Sequence, residues 1–145
     1  MPTIWTIGYE RLLPAELVAE LQAAGVERLI DVRYRPQSRR PGMSKTRLGE
    51  LLGDHGIVYD SRKALGTPPD IRFHYKSGKP AEGAPLFRAH VEEHAAHELD
   101  DLADELDRGP RTALLCLEAD PAVCHRRVLT ELLRARRPGL AVVDL

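Results

Sequence analysis

A chain of 145 residues has the length of one ordinary domain, enough to bury about two thirds of its unfolded surface. Its formal net charge of −1 excludes a globally basic nucleic-acid binder but leaves room for a local basic patch, and no apolar run approaches the roughly 18 residues of a membrane span. The start Met1–Trp5 lacks the basic and apolar parts of a signal peptide, and two cysteines make no disulfide framework, so the expectation is one soluble, cytoplasmic domain over residues 1–145 with reduced thiols.

In chain order, Thr3–Ile7 is a β-rich run closed by Gly8. Pro14 opens a helix to Ala24, with Leu17, Val18 and Leu21 as its apolar face and Gly25 as its stop. Arg28–Val32 is a second strand, followed by the loop Arg33–Gly42. Ser44 caps a helix to Asp54, and Ile57–Tyr59 is a third strand. From Asp60 to Pro85 prolines and glycines break the pattern, which reads as a long loop with Phe73–Lys76 as a lid. A long helix over Leu86–Asp107 follows, then a buried strand at Thr112–Leu117. Asp120 and Pro121 then start a helix, and Leu140–Val143 is the last strand.

Five strands alternating with four helices predict an α/β domain with a doubly wound, Rossmann-like, mostly parallel sheet. In such sheets ligands bind beyond the carboxyl ends of the strands. Three polar clusters fall there: Gly8 and Tyr9 after the first strand, Asp31 and Arg33 after the second, and Cys116 and Glu118 after the fourth, with Cys124, His125 and Arg126 in the helix that follows.

Residue chemistry narrows the choices without making them. Between Val32 and Leu48 lie six Arg or Lys and no acid, a pattern suited to a phosphate or carboxylate, with the helix start near Ser44 adding backbone donors. Asp31 can orient Arg33, act as a base, bind a metal, or simply pair with Arg33. Cys116 is a nucleophile or a small core residue. Cys124 lies where a helix N-terminus favours thiolate. Glu118 can move a proton, hold a ribose hydroxyl or pair with Arg126. Zinc ligation by Cys116, Glu118, Cys124 and His125, and a Cys116–Cys124 disulfide, are lesser options, since the cysteine spacing matches no standard zinc motif. His90, His94 and His97 share a flank of a helix rich in acids, which reads as a solvated face.

The segments Thr6-Ile7-Gly8-Tyr9, Asp31-Val32-Arg33 with Pro36, Ser38 and Arg39, Leu65-Gly66, and Leu115-Cys116 through Glu118, Asp120-Pro121 and Cys124-His125-Arg126 together resemble the signature of the DUF488 proteins, in the same order and over nearly the whole chain. The chain departs from that pattern at Thr67, where a second glycine is usual, and at Asp144, where a histidine is common. The resemblance implies a compact α/β domain and no settled activity. The leading expectation is an enzyme acting on a phosphate-bearing substrate, a nucleotide or nucleic acid. Gly8, Tyr9, Asp31, Arg33, Ser38, Arg39 and Arg126 would hold the anion, and Glu118, Cys116, Cys124 and His125 would do the chemistry. The alternatives are a non-catalytic module binding nucleic acid or protein, and a thiol-redox sensor. No resident metal or cofactor and no oligomeric state is indicated.

Overall fold

The computed structural model describes residues 2–145. Five strands, β1 (Thr3–Gly8), β2 (Arg28–Asp31), β3 (Val58–Ser61), β4 (Thr112–Cys116) and β5 (Ala141–Asp144), form one sheet in the order β3-β2-β4-β1-β5. Every pairing is parallel; β4 lies between β1 and β2, with Ile4 and Arg28 both facing Thr112.

Alternation along the strands sends side chains to two cores. Trp5, Ile7, Leu29 and Leu115 face α1 (Pro14–Ala23) and α2 (Lys45–Asp54) through Leu17, Leu21, Leu48 and Leu52. On the other side, Ile4, Ile30, Leu114 and Cys116 join a second cluster with Phe87, Val91, Leu99 and Leu129. That side is covered by α3 (Pro69–Lys76), α4 (Pro80–His94), α5 (Ala96–Arg108) and α6 (Arg126–Arg136). The central strands read as continuous apolar runs because both of their faces are buried.

Among the described residues the α-helices number six rather than four, and the differences have local causes. The expected loop at 60–85 instead holds a 3₁₀ turn at Lys63–Leu65, all of α3 and the start of α4. Pro69 and Pro80 each occupy the first turn of a helix, where the missing N–H has no partner to lose. The lid expected at Phe73–Lys76 is the last turn of α3. The expected helix 86–107 is two helices parted at Ala95 (φ −135°), where no glycine or proline marks the break. No helix among the described residues is long and apolar enough to cross a membrane.

The sheet edge is tied to α5 by charge. Arg62 grips both carboxylate oxygens of Glu105, at 2.6 and 2.8 Å, and Arg28 donates to the same group at 2.6 Å. These bonds, Arg62 foremost, hold the Glu105 carboxyl down at about 2. The stability from its ionisation is complete above the ordinary value near 4.5 and is lost as pH falls toward 2. Glu105→Gln should flatten the urea-midpoint profile across that acid window. An unchanged profile would remove Glu105 as the source.

Candidate functional site

The site is built where β1, β2 and β4 end. Backbone bonds continue past the strands: Tyr9 N–H donates to Cys116 O, Glu10 N–H to Leu117 O, and Val32 N–H to Leu115 O. The chain leaves β2 toward the α1–α2 face and leaves β4 toward the α6 face, so the crevice between these two strand ends opens at a switch in winding. The three sequence clusters therefore meet at one sheet edge. They separate there into a buried ion pair, a sulfur centre and a basic cleft.

The ion pair is Asp31–Arg33, both essentially without solvent contact. Arg33 meets the two Asp31 oxygens through Nε and Nη2 at 2.9 and 2.7 Å, and its Nη1 donates to Met43 O at 2.8 Å and to the Tyr9 hydroxyl. Burial opposes the Arg33 charge, but Asp31 outweighs it and holds the group above its ordinary value. The Tyr59 hydroxyl also donates to Asp31, and burial first and Asp31 second keep that phenol protonated well beyond its usual range. Arg33 is thus committed inside the protein, and Tyr9 is buried beneath it. Arg39 is exposed, while Ser38 exchanges hydrogen bonds with Ser44 and accepts one from Arg40 N–H. Ser44 holds the N-cap position of α2 that the sequence predicts, but its side chain makes no bond to the start of that helix. Arg40 donates instead to the carbonyls of Tyr9, Glu10 and Leu12, fastening this loop to β1.

The sulfur centre brings together a cysteine pair that the sequence offers as an option, and it corrects one placement. The sulfurs of Cys116 and Cys124, at 1% and 2% exposure, meet at disulfide-bonding contact across a Cα separation of 7.4 Å, wider than disulfides ordinarily span. Cys124 is not on a helix. Pro121–Val123 form a 3₁₀ turn capped by the Asp120 carboxylate, Cys124 is extended (φ −129°, ψ 147°), and α6 begins only at Arg126. That extension turns the Cys124 side chain back onto the end of β4.

His125 is buried with its Nε2 2.8 Å from Val32 O and its Nδ1 3.7 Å from the Cys124 sulfur. Burial above all, helped by Arg72 and Arg126, pushes it down to about 4, so the ring is neutral near pH 7. The neutral ring donates from Nε2 to Val32 and leaves the Nδ1 lone pair toward sulfur. Arg126 is completely buried yet meets no carboxylate. It donates to Ala119 O at 2.9 Å and reaches the Cys116 sulfur at 3.6 Å, and its Nε has no partner among the described residues. Burial lowers it, and Asp144, Glu118 and Asp120 act from a distance against that.

Glu118 is half-buried, and its carboxylate has no hydrogen bond or ion pair among the described residues. The pairing with Arg126 weighed from the sequence does not form. Nearby, the buried Tyr75 hydroxyl is unpartnered and is pushed up to about 12 by burial, then by Glu118. Gly8 makes this packing feasible: a Cβ there would fall 1.7 Å from the Glu118 carbonyl oxygen and 2.8 Å from Arg126 Nη1.

The basic cleft was not read from the sequence as a unit. Two adjoining hollows of about 390 and 600 Å³ share Tyr34, Arg35 and Gln37. One wall adds Arg72, Phe73 and Lys76 from α3, and the other adds Lys45 and Lys63. The walls approach closely because Gly66 packs against the Tyr34 backbone, where a Cβ would sit 2.4 Å from its nitrogen. Lys63 lies over the Tyr34 ring at 4.5 Å, and Phe73 is 65% exposed. Arg72 and Lys76, four apart on one helix face, were the available signal, hidden by the assignment of that stretch to a loop.

On α4, His90 stacks on Phe87 with the His94 ring tilted beside it, and the α5 acids Asp100, Asp104 and Asp107 pair with Arg136 and Arg137. Exposed pairs of this kind contribute little.

A five-stranded, all-parallel α/β sheet with a buried sulfur–arginine centre and a basic cleft at its carboxyl edge is the class of protein that fold and geometry define. The family model described as "Domain of unknown function DUF488" matches residues 14–133, and the chain belongs to that family. No curated protein and no solved structure matches the chain.

Proposed function

We propose that the chain binds a phosphate-bearing ligand, a nucleotide or single-stranded nucleic acid, in the cleft at the ends of β2 and β3. The observation that carries this reading is the lining: Arg35, Lys45, Lys63, Arg72 and Lys76 converge with no carboxylate among the lining residues. Guanidinium and ammonium groups around a concave surface attract phosphate, and guanidinium forks bind it bidentately. Tyr34 and Phe73 supply ring faces for a base, which single-strand binders use without reading sequence. Arg33 and Ser38, expected from the sequence to hold the anion, bond instead within the loop that carries Arg35 and Gln37, Arg33 to Met43 O and Ser38 to Ser44, and Arg39 is exposed on the same loop.

The test is binding of fluorescent oligonucleotides and of mononucleotides over a salt series. Affinity should fall with salt by about 0.7 in logarithmic slope per phosphate contacted on a single strand. The double variant Arg35→Ala/Arg72→Ala should weaken binding and lower that slope. Phe73→Ala should cost about 1–3 kcal/mol for a stacked base and leave inorganic phosphate unaffected. No binding at low salt, or equal binding by the double variant, would overturn the reading.

A catalytic version is favoured by one feature, the unpartnered Glu118 carboxylate on the same sheet edge. In that version Glu118 moves the proton, while His125, neutral and bonded to Val32, positions the sulfur side of the site. Product formation from a bound ligand, lost in Glu118→Gln with binding retained, distinguishes turnover from binding alone.

A further inference from the structure

We propose that in the reduced protein Cys116, Glu118 and Cys124 form a site for a thiophilic divalent cation such as zinc, with Arg126 as its buried counter-charge. The Sγ atoms of both cysteines and a Glu118 carboxylate oxygen lie within 4.8 Å of one another, the only such trio of His, Cys, Asp or Glu ligand atoms among the described residues. Two thiolates and a carboxylate suit zinc or its d-block neighbours and are poor ligands for magnesium or calcium.

Backbone spacing favours a shared ion. The Cα atoms of Cys116 and Cys124 are 7.4 Å apart, beyond the roughly 4.4–6.8 Å that disulfides ordinarily span. Zn–S bonds of about 2.3 Å at a tetrahedral centre place two sulfurs roughly 3.8 Å apart, which this wider backbone separation accommodates.

Charge supplies the second, independent argument. Arg126 is fully buried, lacks a carboxylate partner and carries an orphaned Nε. A buried cation in that state needs an anion. The disulfide provides none, whereas two thiolates, one carboxylate and one divalent cation sum to a single negative charge. Arg126 balances it from 3.6 Å behind Cys116, donating to the ligating sulfur as outer residues of metal sites do.

Loading requires the disulfide to open. A dithiol reductant gives two electrons to the S–S bond, becoming a disulfide itself and leaving two protein thiols. The cation then displaces their two protons to solvent. Three protein ligands would leave a fourth tetrahedral position for a water or a substrate atom, as in zinc sites that bind one. The proposal uses none of the cleft residues, so either reading can fail alone.

The experiment is anaerobic titration of the dithiol-reduced full chain, after removal of the dithiol, with Co²⁺ and then Zn²⁺. Absorption, metal content and thermal midpoint are followed. One equivalent of Co²⁺ should bind with sulfur-to-cobalt charge-transfer absorption in the near ultraviolet, be displaced by Zn²⁺, and raise the midpoint. The air-oxidised chain should take up none. Cys124→Ser, at an extended position outside any helix or strand, should lose the charge-transfer intensity. Glu118→Gln should weaken uptake, and Arg126→Lys should do so by roughly 10- to 100-fold. No uptake by the reduced wild type, equal uptake by the oxidised chain, or wild-type affinity in both Cys124→Ser and Glu118→Gln would each overturn the assignment. Circular dichroism separates lost ligation from lost fold.

Discussion

Replacing Asp31 with alanine should destabilise the protein by about 3–5 kcal/mol, because it strands the Arg33 guanidinium in the interior. Asp31 has no exposure, and it accepts from Arg33 Nε and Nη2, from the Arg33 backbone N–H and from the Tyr59 hydroxyl. Deleting it leaves those donors without an acceptor, and the penalty of an unpaired buried charge exceeds that of a lost contact. For a chain of this size the thermal midpoint should fall by roughly 6–20 °C. Urea unfolding and calorimetry read both numbers. The double variant Asp31→Leu/Arg33→Met should recover much of the loss, since charge and counter-charge go together. A double variant no better than Asp31→Ala would mean that the pair is needed for its geometry, with Met43 and Tyr9 placed by the guanidinium.

The second large effect is acid sensitivity through His125. Its imidazole titrates at an ordinary 6.5 in the unfolded chain and at about 4 when buried. Between those values the unfolded state binds the proton and the folded state does not. The stability tied to the neutral ring is therefore complete above 6.5 and drains away as pH falls to about 4. At about 1.36 kcal/mol per pH unit the loss approaches about 3 kcal/mol. Glu105 acts only from about 4.5 downward, so the window from 6.5 to 4.5 isolates the histidine. His125→Gln keeps a donor for Val32 O and removes the titration. Its urea midpoint should be nearly flat across that window, and a wild-type slope in the variant would assign the acid sensitivity elsewhere.

Hydrophobic pattern was enough for the sheet. Leu114–Leu115–Cys116 and Leu29–Ile30 read as strands buried on both faces, and alternation with helices implied parallel pairing, which holds for every strand. What failed were places where one residue serves two grammars. Pro69 and Pro80 read as loop punctuation but stand at helix starts, and Ala95 breaks a helix without a breaker in the sequence. The clustering of Gly8, Asp31 and Cys116 at one edge was legible because parallel strands place their carboxyl ends together. Side-chain commitments were not legible. Arg33 and Arg40 look alike as basic loop residues, yet the first is consumed by Asp31 and the second by three carbonyls. Asp120-Pro121 is a sound start signal and predicts a helical Cys124, but it governs only the three-residue turn that follows it.

The position of β4 bears on how the protein is made. β1 and β2 do not pair with each other; each pairs with β4, which is synthesised after both. A ribosome that has released everything through α5 therefore exposes two strands whose shared neighbour is still in the exit tunnel. β2 and β3 can pair before then, but the complete sheet, the sulfur centre and the stitching of Tyr9 and Val32 to the end of β4 can assemble only once β4 has emerged. Until then the nascent chain offers unpaired strand edges, the usual targets of chaperones and of misassembly. Parallel pairing between segments so distant in the chain also makes a slow search.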